Sequence, residues 1–405
     1  MSGALDGIRV IDLSQMIAAP YCTQLLADLG ADVVKVERPG VPRDGFSPSF
    51  ERGGEHVSIS GVFLGHNRNK RALSLDLSKP EARSVLADLL QVSDVVVENY
   101  SQRTRSILGM TEEWGWSIRP DLVWASLTGL GRTGPEAHRN GWDYLAQARG
   151  GWMSITDEPD GPPMKAGNSM VDYYAGLHLC VGILAALRHR ERTGEGQLLD
   201  VSLLDSIVPV LDGFPMWASI GGVVPPRSGH FHPIKQPGYS MFACRDGHLV
   251  LGAVGPALGR LLGDVIQRAD LLEVPAFPDT DAYNAYADAV VDAIRDWIVP
   301  LTRDAAGARL DEHRIPYEPV RDLGEIWDDP QLKARDMFWS YDYPPLGKID
   351  TIGNPLHLSK TPARFRLPPP RAGEHNEEVL EELLHYDDDR LAELAAAGIF
   401  ETYTD

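Results

Sequence analysis

The chain has 405 residues, 43% hydrophobic and 24% charged, a globular composition too long for one ordinary core, so two domains are expected. A formal net charge of −20 opposes nucleic acid, whose binding needs clustered Lys and Arg, and confines any anionic ligand to a locally basic pocket. No stretch approaches the roughly 18 uninterrupted apolar residues of a membrane span, and Met1–Val10 lacks the basic-then-apolar pattern of a signal peptide, so a cytoplasmic protein away from the membrane is expected.

In chain order, Ile8–Leu13 reads as a strand and Ala19–Leu29 as a helix with Gly30 at its C-terminal cap. Asp32–Glu37 (DVVKVE) and Ala72–Leu77 read as the next two strands. Ser78-Lys79-Pro80-Glu81 opens a helix, with Ser78 as its expected N-cap and Pro80 in the first turn. Asp94–Glu98 and Leu122–Leu127 are two more strands. Strands alternating with helices imply an α/β fold, a Rossmann-like parallel sheet covered on both faces. The first turn, Ser14 to Pro20, contains no glycine, so the dinucleotide fingerprint is missing although Glu37 stands where an acidic ribose ligand would. That argues against an NAD enzyme.

Val171–Arg190 reads as a long helix, and Leu198–Ser202 as a strand after a Gly-containing turn. The Pro-, Gly- and His-rich segment from about 223 to 236 reads as a linker or active-site loop. Tyr239–Val254 reads as a hairpin around Asp246-Gly247, and helices follow to about His313. Pro344, Pro345 and Pro355 mark a second extended connection, and Glu377–Ala396 is helical. The expected partition is a large domain begun by residues 1–222, a smaller α+β domain with linkers at 223–330, and a return to the large domain at 331–405.

The basic residues of the first half follow or precede strands: Arg38 and Arg43; Arg68, Lys70 and Arg71 in HNRNKR; Arg103 and Arg105. In so acidic a chain this placement points to a phosphate-bearing ligand, with solvated loop charge as the alternative. Asp172 begins the long helix, where a carboxylate acts as an N-cap or as a covalent nucleophile. Cys22, Cys180 and Cys244 are far apart with no CxxC, and His230 and His232 have no evident third ligand, so no metal is expected.

Several long segments resemble the class III CoA-transferases: LDGIRVIDLSQMIAAPYCTQLLADLGADVVKVERPG, NKRALSLDL, DVVVENY, VDYYAGLHLCVGILAALRHRERTGEGQLLDVSLLDS and RIPYEPVRDLGEIWDDPQL. The resemblance runs nearly end to end. It implies an enzyme that moves CoA from an acyl-CoA to a carboxylic acid, with CoA as substrate rather than as a tightly bound cofactor. It places Asp172 at the catalytic position, as a nucleophile passing through a covalent aspartyl intermediate. By position it assigns Gln15, Met16, Ala18, Arg38, Leu75, Asn99 and Tyr100 to CoA. The formyl-CoA enzyme's next arginine aligns with Ile107, leaving Arg103 or Arg105 as the substitute, and its lysine before the GWDY-like segment aligns with Asn140. The resemblance also implies two interlocked chains. The same fold hosts α-methylacyl-CoA racemases, which carry histidine where this chain has Trp142 in Gly141-Trp142-Asp143-Tyr144; tryptophan cannot move the α-proton. A CoA-binding protein without catalysis is the third alternative.

Overall fold

The computed structural model describes residues 3–40, 50–52, 55–57, 60–275, 280–344 and 346–400. Arg43 and Pro345 lie outside them. Two compact units emerge. One is Met1–Gly150 with Gly167–Leu211 and Gln331–Asp405; the other is Gly151–Ala166 with Asp212–Pro330. The smaller unit thus begins at Asp212 rather than 223, and it also takes a short segment ahead of the long helix.

The first unit is built on runs of Val, Ile and Leu that are buried on both faces, the pattern of a parallel sheet. These are β1 (Arg9–Asp12), β2 (Asp32–Glu37), β3 (Lys70–Ser74), β4 (Val95–Glu98), β5 (Val123–Thr128) and β6 (Leu198–Ser202). All pair in parallel in the order β3-β2-β1-β4-β5-β6. Ile11 lies opposite Val34 on one side and Val96 on the other, which fixes the centre of the sheet. The order reverses direction between β1 and β4, and ligands of such sheets bind at the carboxyl ends there. β3 starts two residues before the expected Ala72, where Lys70 and Arg71 pair with Val33 and Val34, and it ends at Ser74 rather than Leu77.

Helix α1 (Ala18–Asp28) follows β1, and α2 (Pro80–Gln91) follows β3. Ser78 does not cap α2. Its hydroxyl donates to Asp76 Oδ1 at 2.6 Å, and the cap position falls to Lys79. The short α3 (Asp143–Arg149) precedes the long α4 (Met170–Thr193), and α5 (Leu203–Ile207) follows β6. Close packing of α4 needs glycine at two places. A Cβ on Gly176 would lie 2.5 Å from the Ala18 carbonyl oxygen, and one on Gly182 would lie 2.6 Å from Leu199. By length and composition α4 could cross a membrane, but half of its apolar window is buried inside the protein, as in a core helix.

The C-terminal return closes the sheet edge. His375 N–H donates to the Ala72 carbonyl, and Asn376 Oδ1 accepts from the Ser74 N–H at 2.8 Å. Val379, Leu380, Leu394 and Ile399 join Leu73, Leu86 and Leu90 in one core. Each such side chain contributes roughly 1.5–3 kcal/mol by burial. The tail is two helices rather than one, Asn376–Leu384 and Asp388–Ala396, broken at His385, whose φ is 56°. Residues Phe338–Tyr343 and Gly347–Ile352 pair as an antiparallel hairpin where an extended connection was expected.

The second unit centres on a three-stranded antiparallel sheet. Tyr239–Cys244 and Gly247–Gly252 form the expected hairpin, and Tyr317–Pro319 adds the third strand. Helices Thr280–Ile298 and Arg303–Glu312 cover it, burying Val290, Ile294, Ile298 and Leu310 against Leu249 and Leu251. The unit is α+β.

Candidate active site

The turn after β1 is pinned from beneath. Asp12, fully buried, accepts from Lys70 Nζ at 2.9 Å, Thr23 Oγ1 at 2.7 Å, the Ser14 N–H at 2.9 Å and the Ser14 hydroxyl. Lys35 Nζ donates to the Ser14 carbonyl at 2.9 Å. Above this cluster the Gln15 N–H donates to Asn99 Oδ1 at 2.9 Å, while Asn99 Nδ2 donates back to the Gln15 carbonyl at 2.8 Å. Met16 then takes a φ of 67°, the left-handed region where glycine usually stands, with its side chain 45% exposed. The glycine-free turn is therefore made by a methionine held between two fixed neighbours. Ala18 starts α1, whose N-cap Ile17 supplies no side-chain cap.

Asp172 is the third residue of α4, not its cap. The cap role is filled from another helix: Asp143 Oδ1 accepts from the Val171 N–H at 2.7 Å, and its Oδ2 accepts from Gln147 Nε2 at 2.6 Å. Among the described residues no side chain donates a hydrogen bond to the Asp172 carboxylate. Burial, with the nearby Asp143 charge adding to it, pushes that carboxyl up to about 7. The helix N-terminus favours the anion, but burial and the second carboxylate outweigh it here. Tyr173, next along, donates its phenol to His66 Nε2 at 3.2 Å. The His66 Nδ1–H is spent on the Val62 carbonyl at 2.7 Å, and burial holds that ring neutral, down to about 4.

The expected cations divide into two groups. Arg38 and Arg103 are exposed at the carboxyl ends of β2 and β4. Arg105 is instead an interior residue, 8% exposed, donating to Glu98 at 3.0 Å and Ser126 at 2.9 Å. The HNRNKR cations are also committed: Arg68 to Asp28 at 2.6 Å, Lys70 to Asp12, and Arg71 to Asp32 at 2.8 Å. Their place in the sequence marks them as phosphate candidates, but their partners lie far along the chain. Leu75 is 1% exposed beyond the end of β3, with its N–H on the Glu37 carbonyl. Tyr100 is half-buried, and its N–H donates to Glu98 at 2.8 Å. Burial, then the Glu98 charge, raises its phenol.

Gln15, Met16, Ala18 and Asn99 come together at the carboxyl edge of the sheet. Through Ala18 and Gly176 this turn abuts α4 one helical turn beyond Asp172. Sequence reading missed Asp143, whose partner Val171 is 28 positions away. It also missed the Asp12–Lys70 pair. A charged residue ending an apolar strand, Asp12 after Val10-Ile11, was the available signal. Trp142 is 63% exposed at the cap of α3, and the nearby His138 is exposed. Among the described residues no group of three or more His, Cys, Asp or Glu is placed to hold a metal.

A parallel sheet with a turn at its switch point, beside a half-buried carboxylate that no side chain among the described residues donates to, has the layout of a nucleotide-type ligand site with a candidate nucleophile. The CoA-transferase family III model matches residues 5–376. A succinyl-CoA:mesaconate CoA-transferase of Haloarcula hispanica is 39% identical over 386 residues, covering 94% of this chain and 96% of its own. A succinate–glutarate CoA-transferase of Agrobacterium fabrum is 34% identical over 382 residues, covering 94% and 95%. The crystal structure of a CaiB/BaiF family protein from Brucella suis superposes with a TM-score of 0.83 at 31% identity, covering 95% of this chain and all of that one. The chain belongs to CoA-transferase family III and is a class III CoA-transferase.

Proposed function

We propose that the enzyme transfers CoA between short carboxylic acids through a covalent intermediate on Asp172. The observation that carries this reading is a half-buried carboxylate that no side chain among the described residues donates to, and whose capping role has been taken by Asp143. The Asp172 oxygen attacks the thioester carbonyl, giving a mixed anhydride and CoA thiolate. The thiolate attacks the aspartyl carbonyl, forming aspartyl-CoA and releasing the donor acid as its carboxylate. The acceptor carboxylate then attacks that thioester, and the thiolate returned attacks the acceptor's acyl carbon, regenerating the Asp172 carboxylate. No net proton moves, and each step exchanges one acyl bond for another. Desolvation raises the basicity of the attacking oxygen while keeping water from the thioester.

The turn Gln15–Ala18, with Arg38, Leu75 and Tyr100, is assigned to CoA, and Arg103 replaces Arg105 as the second candidate phosphate contact. Dicarboxylic acids such as the succinate, glutarate and mesaconate named for the relatives are the acids to try first. Exposed Leu177, Val181 and Leu184, at helical i, i+4, i+7 spacing on α4, support a homodimer. Three free cysteines support a reducing, cytoplasmic setting. Exposed Trp142, at the racemase histidine's position, supports transfer over α-proton exchange.

Replacing Asp172→Asn tests the reading. CoA exchange between succinyl-CoA and an acid panel, followed by mass spectrometry, should fall by about 10³-fold or more while CoA binding persists. Near-full exchange by the variant would return Asp172 to a structural role.

A further inference from the structure

The amide of Asn99 forms a two-way clamp on the turn after β1. Oδ1 accepts from the Gln15 N–H at 2.9 Å, and Nδ2 donates to the Gln15 carbonyl at 2.8 Å, 84 residues away in sequence. This pairing is possible because β1 and β4 are parallel neighbours whose carboxyl ends lie side by side, with Asp12 opposite Val97. The preceding residue is held as firmly: the Ser14 N–H goes to Asp12 and its carbonyl to Lys35. The backbone N–H and C=O of two successive residues are therefore pinned immediately before Met16, a non-glycine residue at φ 67°. A chain left free there would relax out of that region. The pinned turn continues into Ala18, whose carbonyl oxygen lies where a Cβ on Gly176 would approach to 2.5 Å. Gly176 stands one helical turn after Asp172.

Taking Asp172 as the nucleophile, as proposed above, we infer that Asn99 is a positioning residue, acting through Gln15 and Met16 to set the thioester's distance from Asp172, and not primarily a ligand of CoA. Its acceptor and one of its donor hydrogens are already engaged with the protein backbone. Loss of the clamp should therefore affect reaction geometry more than affinity, since a misplacement near 1 Å costs on the order of 100-fold in rate.

The test compares Asn99→Ala and Asn99→Asp in the full chain. Asn99→Asp keeps the acceptor but sets a carboxylate against the Gln15 carbonyl. Calorimetry with free CoA gives the dissociation constant, and turnover of succinyl-CoA with the best acid of the panel gives kcat. For Asn99→Ala we expect kcat to fall about 30- to 100-fold, with the CoA dissociation constant raised less than about threefold. A dissociation constant raised by a larger factor than kcat falls would make Asn99 a direct CoA ligand and overturn the inference, as would no change in either. If Asn99→Ala does not fold, the same comparison is made on Asn99→Asp. A wild-type protein that binds CoA without turnover would refute the transfer reading instead, so the two failures are distinct.

Discussion

Asp12, fully buried beneath the first turn, and Asp172, half-buried beside it, end in opposite states. Asp12 is surrounded by donors: Lys70, Thr23, and the backbone and hydroxyl of Ser14. Burial alone would raise its carboxyl, but the charges of Lys70 and Lys35 and the two hydroxyls together pull it well below the usual range. Asp172 receives no side-chain hydrogen bond among the described residues, and it has Asp143 as neighbour, so burial and like charge lift it to about 7. Burial raises a carboxyl unless cations and hydrogen-bond donors oppose it, as they do at Asp12 and not at Asp172. One carboxylate is a permanent anion that fixes the scaffold. The other is held near neutrality, where it is both available as an anion and more nucleophilic than an ordinary carboxylate.

The comparison can be broken from the scaffold side. Lys70→Met leaves Asp12 buried without its cation and should cost about 3–5 kcal/mol of stability, read as a shift in the urea midpoint. A loss below about 1 kcal/mol would mean that the pair carries no more than a surface ion pair does.

From the site side the sign reverses. The folded state holds the Asp172 proton up to about pH 7, whereas the unfolded chain releases it near the ordinary carboxyl value of 3.8. Between those values the folded state binds more protons, so Asp172 lowers stability as pH rises through that window. Asp172→Asn should therefore raise stability at pH 8 by roughly 2–4 kcal/mol, with the gain vanishing near pH 4. A carboxylate stabilised as an anion would instead lose stability at pH 8 on Asp172→Asn, so a destabilised variant contradicts the free-carboxylate account.

A smaller effect sharpens the contrast. Asp143→Asn keeps an acceptor for the Val171 N–H and removes the neighbouring charge. The acid limb of the kcat/KM profile, set by Asp172 ionisation, should move to lower pH. An unmoved limb would leave burial as the sole cause of the raised carboxyl.

Much of the first unit was legible because parallel strands write themselves as apolar runs: DVVKVE and Leu198–Ser202 matched the observed strands residue for residue. The missing glycine in the first turn was visible, but its replacement by a methionine at positive φ was not, because the clamp comes from Asn99 on another strand. Arg105 and the HNRNKR cations looked like phosphate contacts because a sequence shows charge without its partner. Glu98, Asp28, Asp12 and Asp32 consume them. The sequence left cap and nucleophile both open for Asp172; Asp143, which holds the Val171 N–H, is what takes the capping role.

The covalent intermediate is open to direct capture. The enzyme is incubated with succinyl-CoA, quenched with hydroxylamine, digested and mapped by mass spectrometry. A hydroxamate on Asp172, formed only when the acyl-CoA is present and missing from Asp172→Asn, is the predicted result. A label on another residue, or unmodified Asp172 in an enzyme that still exchanges CoA, would contradict the aspartyl mechanism.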